Sequence, residues 1–361
     1  MAKSQPPAAP RGPSKKCRRI GPSRSAAPSQ ETALQSESLR KYLSRGLFYT
    51  LGRCGGLGTR AENRLAQNVQ GPLRDNGVVT QRAFGWTGVD VPVIGQGTWM
   101  IEGSRESERR AVEALRVGMD LGLTHIDTAE MYGNGRAEEL TGEAIAGRRD
   151  EVFLVSKVLP SNASYDGTLR ACERSLARLG TDHLDLYLLH WAGSYPLGDT
   201  MRAMERLADE GQIRFAGVSN FDVRQVEAAQ AALRHRRLAA NQVLYHLRGR
   251  GIERKLIPYC REQQIAVVGY SPFGHEALPR LDSAGGRVLA EVAQRNRRTV
   301  RQVILNFLTR LPGVFTIPKA SQAEHTRENA GGSGWTLSAE DVGVLDRAFP
   351  APNRDVPLGM L

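Results

Sequence analysis

Seven apolar runs in this sequence end in residues able to ionise or hydrogen bond. Asp127 follows Thr124, His125 and Ile126. Lys157 follows the run from Val152, and His190 follows Leu184 to Leu189. Ser219 and Asn220 close the run through Val218, and Gln242 lies within Ala239 to Val243. Tyr270 and Ser271 follow Gly269, and Lys319 follows Ile317 and Pro318. In the text IDTAEMYGNG, Tyr132 stands five residues past Asp127, close enough for its loop to fold the phenol back beside the carboxylate. A phenol titrates near 10 and is a poor acid at neutral pH unless a positive charge stabilises the phenolate, a charge Lys157 can supply. Asp127 would keep that ammonium protonated and oriented, and His190 would donate a hydrogen bond to a substrate oxygen. Such a set protonates a carbonyl as hydride arrives. None of the four supplies hydride, so a cofactor is required.

Taken singly, each residue has an ordinary use: Asp127 can cap a helix, Lys157 can close a surface ion pair, and His190 can sit satisfied in a core. Their recurrence at successive run ends is what turns attention to the elements that carry them. The runs Val91 to Ile94, Thr124 to Ile126, Val152 to Val155, Leu184 to Leu189, Ile213 to Val218, Ala239 to Val243, Ile265 to Gly269 and Val314 to Ile317 are short and often unalternated, as in strands buried on both faces. Between them, sets such as Ala111, Ala114, Leu115, Gly118 and Met119, or Met201, Met204, Leu207 and Ala208, keep the spacing of amphipathic helices. Eight such alternations from about Val78 onward predict an α/β chain folded as a (β/α)8 TIM barrel, with an open doubly wound sheet as the alternative. The text RAFGWTGVDVPVIG reads as a β-hairpin that would close the barrel bottom. In this fold, chemistry gathers at the C-terminal strand ends, where the seven polar groups fall.

The 361 residues carry a net charge of +11, which invites a nucleic-acid reading. The charge is not spread evenly: residues 1–80 hold 14 Lys and Arg against 4 acids, and residues 81–361 hold 35 against 34. Nucleic acid is therefore not an expected partner of the barrel. Residues 1–77 read as a disordered basic leader, a targeting sequence or an overlong extension, and residues 78–361 as the barrel domain. No run approaches the roughly 18 apolar residues of a membrane span. Cys17, Cys54, Cys172 and Cys260 lie far apart, without metal-ligand spacing, so no metal is expected and a reducing cytoplasm is the expected location. Glu138, Glu139 and Glu143 read as the exposed face of a helix rather than as metal ligands.

The motifs GQGTW (Gly95 to Trp99), IDTAEMYGNG, LDLYLLHW, GVSNF, NQVLYH, GYSPFG and IPKASQAEHTREN occur in this order from about Val79 to Leu361, and in them the sequence resembles the aldo-keto reductase family. The resemblance implies a barrel binding NADPH, with NADH as the alternative, and a catalytic tetrad of Asp127, Tyr132, Lys157 and His190. It implies that Thr98, Ser219, Asn220 and Gln242 meet the nicotinamide end and that Tyr270 stacks on its ring. Ser271, Phe273, Lys319 and Ser321 would meet the phosphates, and His325, Glu328 and Asn329 the adenosine end. His325 stands where many members carry arginine, a change that weakens the expected preference for a 2′-phosphate. Trp99, Met131 and Trp191 match positions that wall the substrate pocket, although for Met131 core packing is an equal alternative. The brief loops AGSYPLG and HEALPRLDSAGG and the tail PAPNRDVPLGML predict an open mouth for small aldehydes, dicarbonyls and sugar-derived aldehydes. They resemble the short-loop microbial branch of methylglyoxal and diketogluconate reductases. The expected protein is a monomeric oxidoreductase with a small carbonyl substrate and no membrane partner. The alternative is a nicotinamide-binding accessory or redox-sensor protein, since fold alone does not establish turnover.

Overall fold

The computed structural model of the protein describes residues 79–274 and 278–361. The leader expected over residues 1–77 lies outside the described residues. Strands β1 (Gln81–Ala83) and β2 (Asp90–Pro92) form an antiparallel hairpin with Arg82 opposite Val91. Phe84 in its turn is fully buried, with its ring centroid 4.9 Å from those of both Phe153 and Phe315, a burial that contributes about 2 kcal/mol. Gly85 beside it adopts φ +60°, and a Cβ there would lie 2.3 Å from the Gln264 carbonyl oxygen, so the turn is pressed against the strand starts. Arg82 donates to the carbonyls of Thr309, Leu311 and Val314 at 3.0, 2.9 and 3.2 Å, and Trp86 Nε1 donates to that of Leu238 at 2.7 Å. The hairpin is the floor of a barrel.

The barrel strands are β3 (Gln96–Gly97), β4 (His125–Asp127), β5 (Phe153–Val158), β6 (Leu184–Leu189), β7 (Ile213–Ser219), β8 (Leu238–Leu244), β9 (Ala266–Tyr270) and β10 (Val314–Thr316). All neighbours pair parallel and in sequence order. The two ends meet through parallel bridges from Ile94 to Thr316 and from Gly97 to Lys319. Val91 to Ile94 was expected to be the first barrel strand. Val91 and Pro92 instead belong to the hairpin; both are buried, and Val91 packs in the core beneath the barrel.

Helices α1 (Arg105–Asp120), α2 (Arg136–Ile145), α3 (Tyr165–Leu179), α4 (Leu197–Asp209), α5 (Val223–Ala232) and α6 (Leu256–Glu262) alternate with the strands up to β9. Two helices, α7 (Ala284–Arg295) and α8 (Val300–Leu308), separate β9 from β10, and α9 (Ala323–Ala330) and α10 (Ala339–Ala348) follow. The alternation is therefore less strict than expected: α7 and α10 are added and pack on one another. Side-chain caps start many of these helices, with Ser104 accepting from the Ser107 amide and Ser164 from the Gly167 amide. Reciprocal capping boxes join Asp222 with Gln225 and Thr299 with Gln302. No helix among the described residues is long and apolar enough to cross a membrane.

Candidate active site

Asp127 ends β4 and Lys157 lies in β5, with side chains turned into the upper barrel, where both are essentially inaccessible to solvent. The Lys157 ammonium donates to Asp127 Oδ1 at 2.5 Å and to the Thr128 carbonyl at 2.9 Å. The chain leaves β4 and turns through Tyr132–Gly135, where Gly133 and Asn134 adopt left-handed backbone, and this turn returns the phenol to the barrel axis. Lys157 Nζ lies 3.2 Å from Tyr132 Oη. His190, one residue past β6, presents its ring edge-on to that of Tyr132 with centroids 5.8 Å apart. Trp191 packs beside it at 4.9 Å. The structure thus brings the four residues of the expected tetrad together.

Burial alone would lower the Lys157 pKa, but Asp127 and Tyr132 outweigh it and hold the ammonium charged. Burial raises the Tyr132 pKa further than the Lys157 charge lowers it, so the phenol stays above its ordinary range and keeps its proton at neutral pH. Lys157 was expected to make the phenol more acidic; it acts in that sense and loses to desolvation. Burial, aided by the Lys157 charge, drives the His190 pKa well below its usual value, so its imidazole is neutral. Its Nδ1 is buried without a hydrogen-bond partner among the described residues.

The residues expected at the nicotinamide end line the next strands. Gln242 on β8 donates to Asp127 Oδ2 at 2.7 Å, a link across 115 residues that the sequence did not suggest. Asn220 donates to the His190 carbonyl at 3.1 Å and to Ser219 Oγ at 3.2 Å, and accepts from the Tyr270 hydroxyl at 2.8 Å. Thr98 is fully buried and donates to the Asp127 carbonyl at 3.0 Å, so it braces the end of β4. This donor set fits a carboxamide: the Ser219 hydroxyl hydrogen and Gln242 Oε1 are not consumed by these bonds. Asn220 and Ser271 adopt φ +61° and +51° at the ends of β7 and β9, and Met100 adopts +61° beyond β3, each costing about 1 kcal/mol or more. Such strain collects at functional rims.

Lys319 closes the barrel edge beside Gly97, with its pKa lowered by partial burial and raised in part by the Glu102 carboxylate. Ser321 precedes α9, which carries His325 on an exposed face, Glu328 half-buried and Asn329 buried. Ser271 and Phe273 are half-buried after β9. One further residue joins them: the Arg301 guanidinium lies 4.7 Å from the Phe273 ring centroid, and its Nε lies 3.8 Å from Glu328 Oε2. Arg301 sits in the first turn of α8, far along the chain from both motifs, and no local pattern marks it.

Trp99 and Trp191 are half-buried at the mouth, joined by Met100, Met131 and Tyr195 at 60%, 37% and 43% exposure. Met131 is therefore a rim residue and not part of the core. Glu139 and Glu143 are exposed as expected, but Glu138 is fully buried, which corrects the reading of all three as a solvated face. It accepts from Ser156 Oγ at 2.5 Å and from Arg178 Nε at 2.7 Å. Thr141 and Ile145, three and seven residues on, are also buried, so helical spacing already put Glu138 on the inner face. Among the described residues no His, Cys, Asp and Glu cluster able to hold a metal occurs.

Comparison with known proteins agrees with this geometry. Residues 93–349 match the family model described as the Aldo/keto reductase family. Methylglyoxal reductase YeaE of Escherichia coli (strain K12) is 44% identical over 273 residues, covering 76% of this chain and 96% of that protein. Glyoxal reductase of Bacillus subtilis (strain 168) is 36% identical over 272 residues, covering 75% and 92%. A crystal structure of an aldo/keto reductase from Klebsiella pneumoniae in complex with NADP and acetate superposes with TM-score 0.73 at 44% identity, over 79% of this chain and all of that one.

Proposed function

This chain belongs to the aldo/keto reductase family, and we propose that it uses NADPH to reduce small aldehydes and dicarbonyls, methylglyoxal among them, with Tyr132 as the proton donor. The observation that carries this reading is the Lys157 ammonium held between Asp127 and Tyr132, at 2.5 and 3.2 Å. The bound cofactor supplies hydride; the chain supplies everything else. The proton on Tyr132 passes to the carbonyl oxygen, and the phenolate left behind is stabilised by Lys157. Asp127 keeps that ammonium charged and in place, so the barrel interior presents a fixed positive group where negative charge develops. Neutral His190 orients the carbonyl by a ring N–H and does not compete as an acid.

Ser219, Asn220 and Gln242 would hold the carboxamide, Tyr270 would pack on the ring, and Lys319 and Arg301 would meet the phosphates and adenosine. The methylglyoxal assignment rests on the two reductase relatives and on the aromatic and methionine-lined mouth, which has few polar anchors. An accessory or sensor role would not require an ionisable phenol packed against three buried ionisable groups.

The test follows NADPH oxidation with methylglyoxal, an aromatic aldehyde and a keto-sugar acid. Tyr132→Phe is expected to lose about 10²- to 10⁴-fold in kcat while its NADPH Kd stays within about twofold. Tight NADPH binding without oxidation by any of the carbonyls would refute the proposal.

A further inference from the structure

Tyr132 stands on a short turn between β4 and α2. Gly133 and Asn134 have φ of 55° and 53°, so no right-handed helix runs through the turn; backbone bonds from the Tyr132 amide to the Ala129 carbonyl at 3.1 Å and from the Asn134 amide to the Met131 carbonyl at 3.3 Å shape it locally, and side chains outside it add further anchors. Two buried glutamates flank it. Glu130, two residues before Tyr132, accepts at Oε1 from the Leu159 amide at 2.7 Å and from Asn162 Nδ2 at 2.9 Å. Glu138, six residues after Tyr132, accepts from Ser156 Oγ at 2.5 Å. Their partners straddle Lys157: Ser156 precedes it on β5, and Leu159 follows it by two. Strand alternation explains the reach, because Lys157 points into the barrel while Ser156 points out toward α2. Each carboxylate is also paired with an arginine from α3, Glu130 with Arg174 at 3.6 Å and Glu138 with Arg178 at 2.5 Å, which offsets the cost of burying charge. The turn presses on one of these arginines: a Cβ on Gly135, at φ +92°, would lie 2.5 Å from Arg178 Nε.

We propose that Glu130 and Glu138 are positioning residues that clamp the Tyr132 turn to β5 at two points, one on either side of Lys157, and so set the distance between phenol and ammonium. The clamp rests on the reading of Tyr132 as proton donor. It acts by hydrogen-bond geometry rather than by net charge, and glutamine can reproduce it. At position 130 the amide oxygen accepts both donors, and at position 138 the amide oxygen accepts from Arg178 while the NH₂ donates to Ser156 Oγ.

The experiment compares Glu130→Ala and Glu138→Ala with Glu130→Gln and Glu138→Gln in the full-length chain. The alanine variants are expected to lose about 10- to 100-fold in kcat, as for a displacement of about 1 Å, with NADPH Kd within about twofold of wild type. The alkaline limb of their kcat profile moves to higher pH, because a phenol released from Lys157 is harder to ionise. The glutamine variants keep kcat within about threefold of wild type, and Glu138→Ala adds no further loss in a Tyr132→Phe background. Alanine variants that melt earlier but retain kcat per NADPH-binding site, with an unmoved limb, would overturn the clamp. If the wild type turns over no carbonyl, the catalytic reading fails. The clamp is then decided by a crystal structure of Glu138→Ala, where a Tyr132 Oη still 3.2 Å from Lys157 Nζ overturns it and a separation beyond hydrogen-bond range supports it.

Discussion

Replacing His125 by leucine should remove a pH-dependent weakness from the floor of the barrel. His125 begins β4, is fully buried, and packs edge-on against Phe84 of the hairpin and Phe153, at centroid distances of 6.2 and 5.6 Å. Neither ring nitrogen has a hydrogen-bond partner among the described residues. Burial, aided by the Lys157 charge, pushes its pKa down from 6.5 to about 3. The folded state therefore refuses a proton that the unfolded chain accepts below about 6.5, and stability is lost as the pH falls from there toward 3. Between pH 7.5 and 5 the loss attributable to this group is about 2 kcal/mol, at 1.36 kcal/mol per pH unit below the unfolded value. Leucine has similar volume and no proton to bind. Denaturant unfolding of both proteins at pH 7.5 and pH 5 should show the wild type losing about 2 kcal/mol more than His125→Leu. The variant should also be more stable at pH 7.5 by about 1 kcal/mol, since two unpaired buried nitrogens are removed. Parallel losses in the two proteins, or an NMR titration of His125 near 6.5 in the folded state, would refute the reasoning.

Arg301→Ala should raise the NADPH Kd about tenfold and leave that of NADH within about twofold, if the cation over Phe273 takes the part of the arginine that the family pattern carries at position 325; equal weakening of both cofactors by fluorescence titration would contradict this. Because burial raises the Tyr132 pKa, kcat for carbonyl reduction should stay level through neutral pH and fall only above about 10, where the acid loses its proton. Because His190 is held neutral, no limb should appear near 6.5, and one that disappeared in His190→Gln would show that the histidine titrates.

The strand ends were legible because a parallel barrel repeats one rule: an apolar run buried on both faces, then a polar residue at the rim. That rule marks Asp127, Lys157, His190, Ser219 and Gln242 in the sequence itself. It failed where one texture has two causes. Val91 and Pro92 are apolar because they are buried in the barrel floor, and nothing local separates that from a barrel strand. Glu138 was misread for a different reason: a charged residue defaults to solvent, and its partners Ser156 and Arg178 lie 18 and 40 residues away. Phe273 belongs to a motif and Arg301 to none, and the two meet only when α8 packs beside the end of β9.

The link between Asp127 and Gln242 shows what such long-range pairing does for the chemistry. One carboxylate accepts from the Lys157 ammonium at Oδ1 and from the Gln242 amide at Oδ2, at 2.5 and 2.7 Å. Lys157 contacts the phenol proposed to give the proton, while Gln242 is among the groups proposed to hold the carboxamide beside the hydride. A shift of Asp127 therefore moves both ends of the reaction in the same direction, preserving the spacing between the proton donor and the carboxamide site. Separate anchors would let each drift, and a misalignment of about 1 Å costs about 10²-fold in rate. A closed barrel makes the arrangement available, because β4 and β8 face one another across the axis although 115 residues separate the two side chains. The sequence displays both residues but not their bond, since their proximity arises only when the last strand returns to the first.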